Sequence, residues 1–232
     1  MDRHEAVNVT KGRNIMIEAV LFDLDGTIAN TNNLIYESFR KAFSEKLGLD
    51  LPDEVIYSFF GEPLQYSLSK YADDPTELLV SFREFNEKNH DEMIRSFDGV
   101  KEALSMLKAS NIKMGIVTSK RLTMAKRSLS VLNLLEYFDV LVTPESTLLH
   151  KPDAAPLLKA CELLGGISPK NTLMVGDSVY DILCGNNAGA TSVAVTYSVI
   201  SPEIILESEP DYIIDDLREL LDIVRKLDER NN

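Results

Sequence analysis

IEAVLFD at Ile17–Asp23 is a short apolar run that ends in acid, and Leu24-Asp25-Gly26-Thr27 follows it at once. A run this short and this apolar reads as a strand buried on both faces. Four later runs share its character: Lys113–Thr118 (KMGIVT), Asp139–Thr143 (DVLVT), Thr172–Gly176 (TLMVG) and Ser192–Val195 (SVAV). Tyr212–Ile214 is a sixth, shorter candidate. Helical spacing fills the gaps. Leu122, Ala125, Leu129 and Leu132 form one apolar stripe, and Leu217, Leu220, Leu221, Val224 and Leu227 form another. Strand alternating with helix predicts an α/β fold, with a parallel sheet covered by helices on both faces.

One stretch breaks the alternation. Between Asn30 and Phe97 no run reads as a strand, but apolar stripes recur at helical spacing. Leu34, Ile35, Phe39, Ala42 and Phe43 make the first, and Leu78, Leu79, Phe82 and Phe85 the second. Pro52, Gly61-Glu62-Pro63 and Asp73-Asp74-Pro75 punctuate them. The expected division is therefore an extension over residues 1–15, an α/β core from 16–29 and 98–232, and a helical insert over 30–97. The joints fall near Ala29–Thr31 and Arg95–Gly99.

Parallel α/β sheets bind their ligands beyond the carboxyl ends of the strands. The first strand closes on Asp23, with Asp25, Gly26 and Thr27 beyond it; the second closes on Thr118-Ser119-Lys120. The fourth closes on Gly176-Asp177-Ser178, with Asp181 four residues past Asp177, and Lys151-Pro152-Asp153 precedes a helix. Each piece alone reads as a turn, a helix cap or a solvated lysine. Together they gather several carboxylates at one sheet edge, where they repel one another unless a hard cation joins them. Mg²⁺ takes a few oxygens and keeps its waters, which suits Asp23, Asp177 and a main-chain carbonyl. A carboxylate held as an anion by metal and lysine can attack phosphorus. Asp25, lifted over the edge by the turn at Gly26, is placed to exchange a proton with the leaving oxygen and then with water.

The chain has 232 residues, is 44% hydrophobic and carries a formal charge of −13. That size supports one large domain or a core with a smaller lobe. The acidity argues against nucleic acid or an anionic membrane as partner. No apolar run reaches the ~18 residues that a membrane span needs. The polar start, Met1–Asn14, lacks the apolar segment of a secretion signal. Cys161 and Cys184 lie among apolar or small residues and read as buried free thiols, so a cytoplasmic protein is expected. Monomer and homodimer both remain open.

With these residues in hand, the chain resembles the haloacid dehalogenase-like (HAD) phosphatase superfamily. DLDGT at Asp23–Thr27 matches its first motif, Thr118 its second, Lys151 its third and GDSVYD at Gly176–Asp181 its fourth. The resemblance implies a Rossmann-like sheet core with a small inserted four-helix cap, Mg²⁺ as cofactor, and an aspartyl-phosphate intermediate. It implies Asp23 as nucleophile, Asp25 as acid/base, Thr118 and Lys151 as catalytic partners, and Asp23, the Asp25 carbonyl and Asp177 as metal ligands. Gly26, Thr27 and Asp181 would support them, Asp181 through Lys151 or a metal-bound water. The insert looks like the cap of the phosphoglycolate phosphatase-like group. Thr31-Asn32, FFGEPL at Phe59–Leu64 and FREFNEKNHDEM at Phe82–Met93 look like its bacterial pyrophosphatase (PpaX) branch.

That likeness implies pyrophosphate or a small phosphomonoester such as 2-phosphoglycolate as substrate. Ser119, Lys120 and Arg83 are the candidate substrate contacts, Arg83 because a guanidinium grips two oxygens at once. Gly61 is expected to make a turn, and His90, in a polar stretch, to be solvated. Ala154 stands where the third motif often has a second proline. Two other readings compete: a phosphomutase of the β-phosphoglucomutase type, and a non-catalytic phosphate-binding protein. The second has against it the full set Asp23, Asp25, Thr118, Lys151 and Asp177.

Overall fold

β1 (Ala19–Phe22) lies at the centre of the sheet because every one of its side chains is apolar and buried. The computed structural model describes residues 16–229, so the proposed extension over residues 1–15 lies outside the described residues. β1 pairs in parallel on one side with β4 (Lys113–Val117) and on the other with β6 (Thr172–Gly176). β5 (Val140–Val142) extends the first side, and β7 (Thr191–Val195) and β8 (Tyr212–Ile214) the second. The order is β5-β4-β1-β6-β7-β8, with every pairing parallel, which is the expected α/β architecture.

Alternation along the strands divides the core between two layers. Val20 and Phe22 of β1, Met114 and Ile116 of β4, and Leu173 and Val175 of β6 share one apolar cluster. Helices α5 (Val100–Ala109), α6 (Leu122–Val131) and α10 (Leu220–Glu229) cover it through residues such as Leu104, Leu129 and Leu220. Leu21, Val117 and Met174 face the other way, against α7 (Ala155–Leu163) and α8 (Val179–Ala188). A short helix, α9 (Pro202–Leu206), packs Ile205 against Ile182 of α8.

The chain leaves the sheet through β2 (Ala29–Asn30) and returns through β3 (Arg95–Ser96), which pair as a two-residue antiparallel ribbon. The sequence showed no strand there, because two residues are too few for any period. Between them lie α1 (Asn32–Leu47), α2 (Asp53–Tyr57), α3 (Leu64–Ser69) and α4 (Thr76–Met93). These four helices enclose an apolar cluster of their own, centred on Phe39, Phe43, Phe59 and Phe82. The Phe39 ring meets Phe82 edge-on at 4.8 Å and Phe59 at 5.1 Å, spacings that favour aromatic pairs. Among the described residues no helix is long and apolar enough to cross a membrane.

Candidate active site

The strand ends converge as their spacing predicts. Asp23, one residue past β1, donates its main-chain N–H to Val175 O at 2.9 Å, which ties it to β6. The chain then folds back on itself: Gly26 donates to Ala29 O, and Ile28 and Ala29 both donate to Leu24 O. Gly26 has φ +87°, and a Cβ there would lie 2.1 Å from Asp177 Oδ2. Glycine is therefore required both for the backbone and for the approach of a carboxylate. Gly176 serves the same end on the other side, since a Cβ there would sit 2.3 Å from Asp181 Cγ.

Lys151 ties these carboxylates together. Its Nζ donates to Asp23 Oδ1 at 2.7 Å, to Asp181 Oδ1 at 2.6 Å and to Val117 O at 3.1 Å, so all three ammonium donors are engaged. Asp181 is held in turn by Ser178, whose main-chain N–H and Oγ both donate to Oδ2, a capping box that opens α8. Asp177 accepts from Thr27 Oγ1 on Oδ1 at 3.2 Å and from Ser198 Oγ on Oδ2 at 2.5 Å. Carboxylate oxygens of Asp23, Asp177 and Asp181 all lie within 4.8 Å of one another, and all three residues are buried.

Three carboxylates against one ammonium leave two negative charges in a buried place, the deficit a divalent cation fills. The titration behaviour agrees. Burial pushes Asp23 up to about 7, with Asp181 adding to the rise and Lys151 opposing it. Burial, then Asp181 and Asp23, hold Asp177 well above the usual carboxylate range. For Lys151 burial disfavours the ammonium, but Asp181 and Asp23 outweigh it and raise its pKa. An all-oxygen, over-acidic donor set of this kind fits Mg²⁺.

Above the floor lies a cavity of about 210 Å³, bounded on its far side by the helical insert. Asp23, Asp25, Thr118, Ser119, Lys120, Lys151 and Asp177 reach it from the sheet. Asn32, Arg83 and Asn86 reach it from α1 and α4, and Phe59–Gly61 from the turn after α2. Gly26, Thr27 and Asp181 stand behind the floor and hold its members. Asp25 is set apart from the acidic trio: its Oδ1 accepts from Thr31 Oγ1 at 2.8 Å and from Lys120 Nζ at 2.8 Å. Arg83 is exposed and has no ion-pair partner among the described residues. Gly61 does make a turn, at φ +82°, and it also touches the core, for a Cβ there would lie 2.6 Å from Ser178 Cβ.

One expectation fails. His90 is fully buried rather than solvated. Its Nε2 pairs with Ser128 Oγ of α6 at 2.8 Å and its Nδ1 with Asp91 Oδ1 at 2.7 Å. Polar neighbours in Asn89-His90-Asp91-Glu92 masked the single face of α4 that meets α6. Two further residues escaped sequence reasoning. Ser198 holds Asp177, and Tyr197 donates its hydroxyl to Thr27 O at 2.8 Å. Both follow the end of β7, so inspecting that strand end as the others were inspected would have found them.

Known proteins supply the comparison. The family model described as haloacid dehalogenase-like hydrolase matches residues 20–195. A PpaX protein of Clostridium perfringens (strain 13 / Type A) is 46% identical over 91% of this chain and 99% of its own length. Pyrophosphatase PpaX of Bacillus mycoides is 37% identical over 91% of this chain and 98% of its own. Among solved structures, a predicted phosphoglycolate phosphatase of Haemophilus somnus 129PT superposes with a TM-score of 0.81 at 26% identity, covering 89% of this chain and 97% of that one.

Proposed function

The chain belongs to the haloacid dehalogenase-like hydrolases, and on that footing we propose that it is a Mg²⁺-dependent phosphohydrolase with Asp23 as nucleophile and inorganic pyrophosphate as substrate. The observation that carries the reading is the buried Asp23–Lys151–Asp181 network beside Asp177, charge-deficient by two and open to a cavity. Pyrophosphate comes from the relatives at 46% and 37% identity that share nearly the whole length. The small cavity and its unpaired guanidinium at Arg83 suit a compact anion.

Asp23 and Asp177, with the main-chain carbonyl of Asp25, would hold Mg²⁺. Bound there, the ion would supply positive charge to neutralise the carboxylates and the phosphoryl oxygens. Lys151 occupies Asp23 Oδ1 and leaves Oδ2 without a hydrogen-bond partner among the described residues. An Asp23 oxygen attacks phosphorus, the bridging P–O bond breaks, and its electron pair stays on the leaving oxygen. Asp25 supplies the proton that oxygen needs. Asp25 then takes a proton from water as the water attacks the aspartyl-phosphate, which returns Asp23 to its carboxylate and frees phosphate. Thr118 and those N–H groups of the turn near Gly26 that are not spent within the turn would receive the phosphoryl oxygens. Helices α1 to α4 act as a cap that excludes water, hinged on the β2–β3 ribbon.

The test is phosphate release from pyrophosphate, 2-phosphoglycolate, sugar phosphates and nucleotides, compared by kcat/KM with Mg²⁺ present. Pyrophosphate should lead. Turnover of none overturns the phosphohydrolase reading. Dependence on an added sugar bisphosphate would favour the mutase instead.

A further inference from the structure

Lys120 sits where a substrate contact is wanted, yet its ammonium is bound to the group that must move a proton. Its Nζ donates to Asp25 Oδ1 at 2.8 Å, and Thr31 Oγ1 donates to the same oxygen. Asp25 Oδ2 has no hydrogen-bond partner among the described residues, and Asp25 lines the cavity. With Oδ1 anchored twice, Oδ2 is the oxygen left to carry the travelling proton.

An ammonium has three donors, and Asp25 is the one side-chain acceptor Lys120 finds among the described residues. The Lys120 side chain is only 10% exposed, and it lines the cavity, into which the other two donors can turn. An ammonium largely withdrawn from the outer surface, with donors to spare at a cavity, is a place for an anion. Of the neighbouring cations, Lys151 gives all three donors to Asp23, Asp181 and Val117 and Arg121 is held by Glu87, while Arg83, without an ion-pair partner among the described residues, reaches the cavity from α4 and not from the strand ends that carry Asp25. Lys151 would release the nucleophile if it turned to a second anion. Lys120 would not: it can keep Asp25 and still accept one.

We propose that Lys120 determines specificity at the leaving group, anchoring Asp25 with one donor and holding a charged oxygen of the departing group with the others. The inference rests on the phosphohydrolase reading and deepens it: the substrates selected are those whose leaving group carries its own anion, a second phosphate or a carboxylate. In pyrophosphate, the Asp23–phosphorus bond forms and the bridging P–O bond breaks. The electron pair stays on the bridging oxygen and takes the Asp25 proton, so the departing group is hydrogen phosphate and Asp25 becomes a carboxylate. Lys120 faces both negative charges as they develop.

The test compares Lys120→Met and Lys120→Arg with the parent enzyme on pyrophosphate and on 4-nitrophenyl phosphate, whose leaving group has no second anion and leaves without a proton. Lys120→Met should lower kcat/KM for pyrophosphate about 100-fold, the loss of charge-assisted hydrogen bonds, but that for 4-nitrophenyl phosphate about tenfold or less. Lys120→Arg should restore part of the difference. Equal losses on both substrates mean a structural role and overturn the inference, as does no loss on either. Should the parent enzyme turn over monoesters but not pyrophosphate, 2-phosphoglycolate becomes the anionic arm. If that too is no better than 4-nitrophenyl phosphate, the inference fails while the phosphohydrolase reading stands. A parent enzyme inactive on all three removes that reading itself.

Discussion

On the sheet side of the cavity, Lys151 is buried and engaged by Asp23, Asp181 and a carbonyl, and Asp181 is held in turn by Ser178. On the helical side, Arg83 is exposed and meets no acidic partner among the described residues. One wall is a closed network that lacks only a cation; the other sets the guanidinium of Arg83 over a cluster of phenylalanines, beside Asn86 and Glu87, which Ser38 and Arg121 already engage. The closed wall suits a reaction that is the same for every substrate, since its geometry is fixed before anything binds. The open wall suits discrimination, since its Arg83 guanidinium is left to engage a ligand.

A substitution within the Asp23–Lys151–Asp181 network should therefore act on every substrate alike, unlike one at Lys120, which stands outside that network. Asp23→Asn keeps the shape of the side chain but removes the nucleophilic charge. It should lower kcat at least ~10³-fold on each substrate with the circular dichroism spectrum unchanged. Retention of more than about a tenth of the parent rate would break the assignment and, with it, the contrast between the walls.

Chelation probes the same wall more gently. EDTA should abolish turnover and Mg²⁺ should restore it. Metal binding needs ionised carboxylates, and in the metal-free protein Asp23 sits near 7 because it is buried. Mg²⁺ should thus release protons on binding, and its affinity should fall as pH drops below about 7. Stability carries a matching sign. The folded pKa of Asp23 is raised above its ordinary 3.8, so its contribution favours the folded state in acid and is lost as pH rises through about 7. Melting curves of metal-free protein should decline over that range, and Mg²⁺ should recover the loss. A melting temperature indifferent to Mg²⁺ at pH 8 would count against the metal site.

The closed wall was also the legible one. Asp23, Asp25 and Gly26 are near neighbours in the chain, at the end of a strand whose four buried residues announce it, and Asp177 and Asp181 follow another such strand. Strand direction alone then brings them together, so short motifs carried the geometry. Ser198 and Tyr197 belong to the same edge, but Thr196-Tyr197-Ser198 after β7 carries no charged residue to mark it as part of the site. The helical wall was harder for a physical reason. Which of Arg83, Asn86 and Glu87 faces the cavity depends on the rotation of α4, which its packing on α1 and α6 decides. The β2–β3 ribbon was invisible as a strand because it is two residues long on each side and its pairing partners, Ala29 with Ser96 and Asn30 with Arg95, lie far apart in sequence.

Arg83→Ala tests the open wall. An exposed side chain with no partner contributes little to folding, so stability should stay within about 0.5 kcal/mol. The kcat/KM for pyrophosphate should fall about tenfold to a hundredfold, mostly through KM, while 4-nitrophenyl phosphate loses less. Equal falls on both would mean that this wall serves the common chemistry and that the contrast is false.

The smallest effect belongs to the seam where the two regions meet. His90 of α4 is buried against Ser128 of α6, and Asp91 bonds both His90 and Arg127. Burial lowers the His90 pKa below its ordinary 6.5; Asp91 opposes this, while Lys120 and Arg127 add to it. A depressed histidine favours the folded state while neutral. As pH falls below about 6.5 the unfolded chain takes up a proton that the folded chain resists, and that contribution is lost. His90→Gln stays neutral throughout and can still reach Ser128. The urea midpoint of the parent should therefore fall relative to that of His90→Gln between about pH 7.5 and pH 5.5, whereas the acid-side behaviour of Asp23 and Asp177 is common to both and cancels. A difference that does not change with pH would mean that His90 titrates alike in the folded and unfolded chain, and that the seam adds no pH dependence of its own.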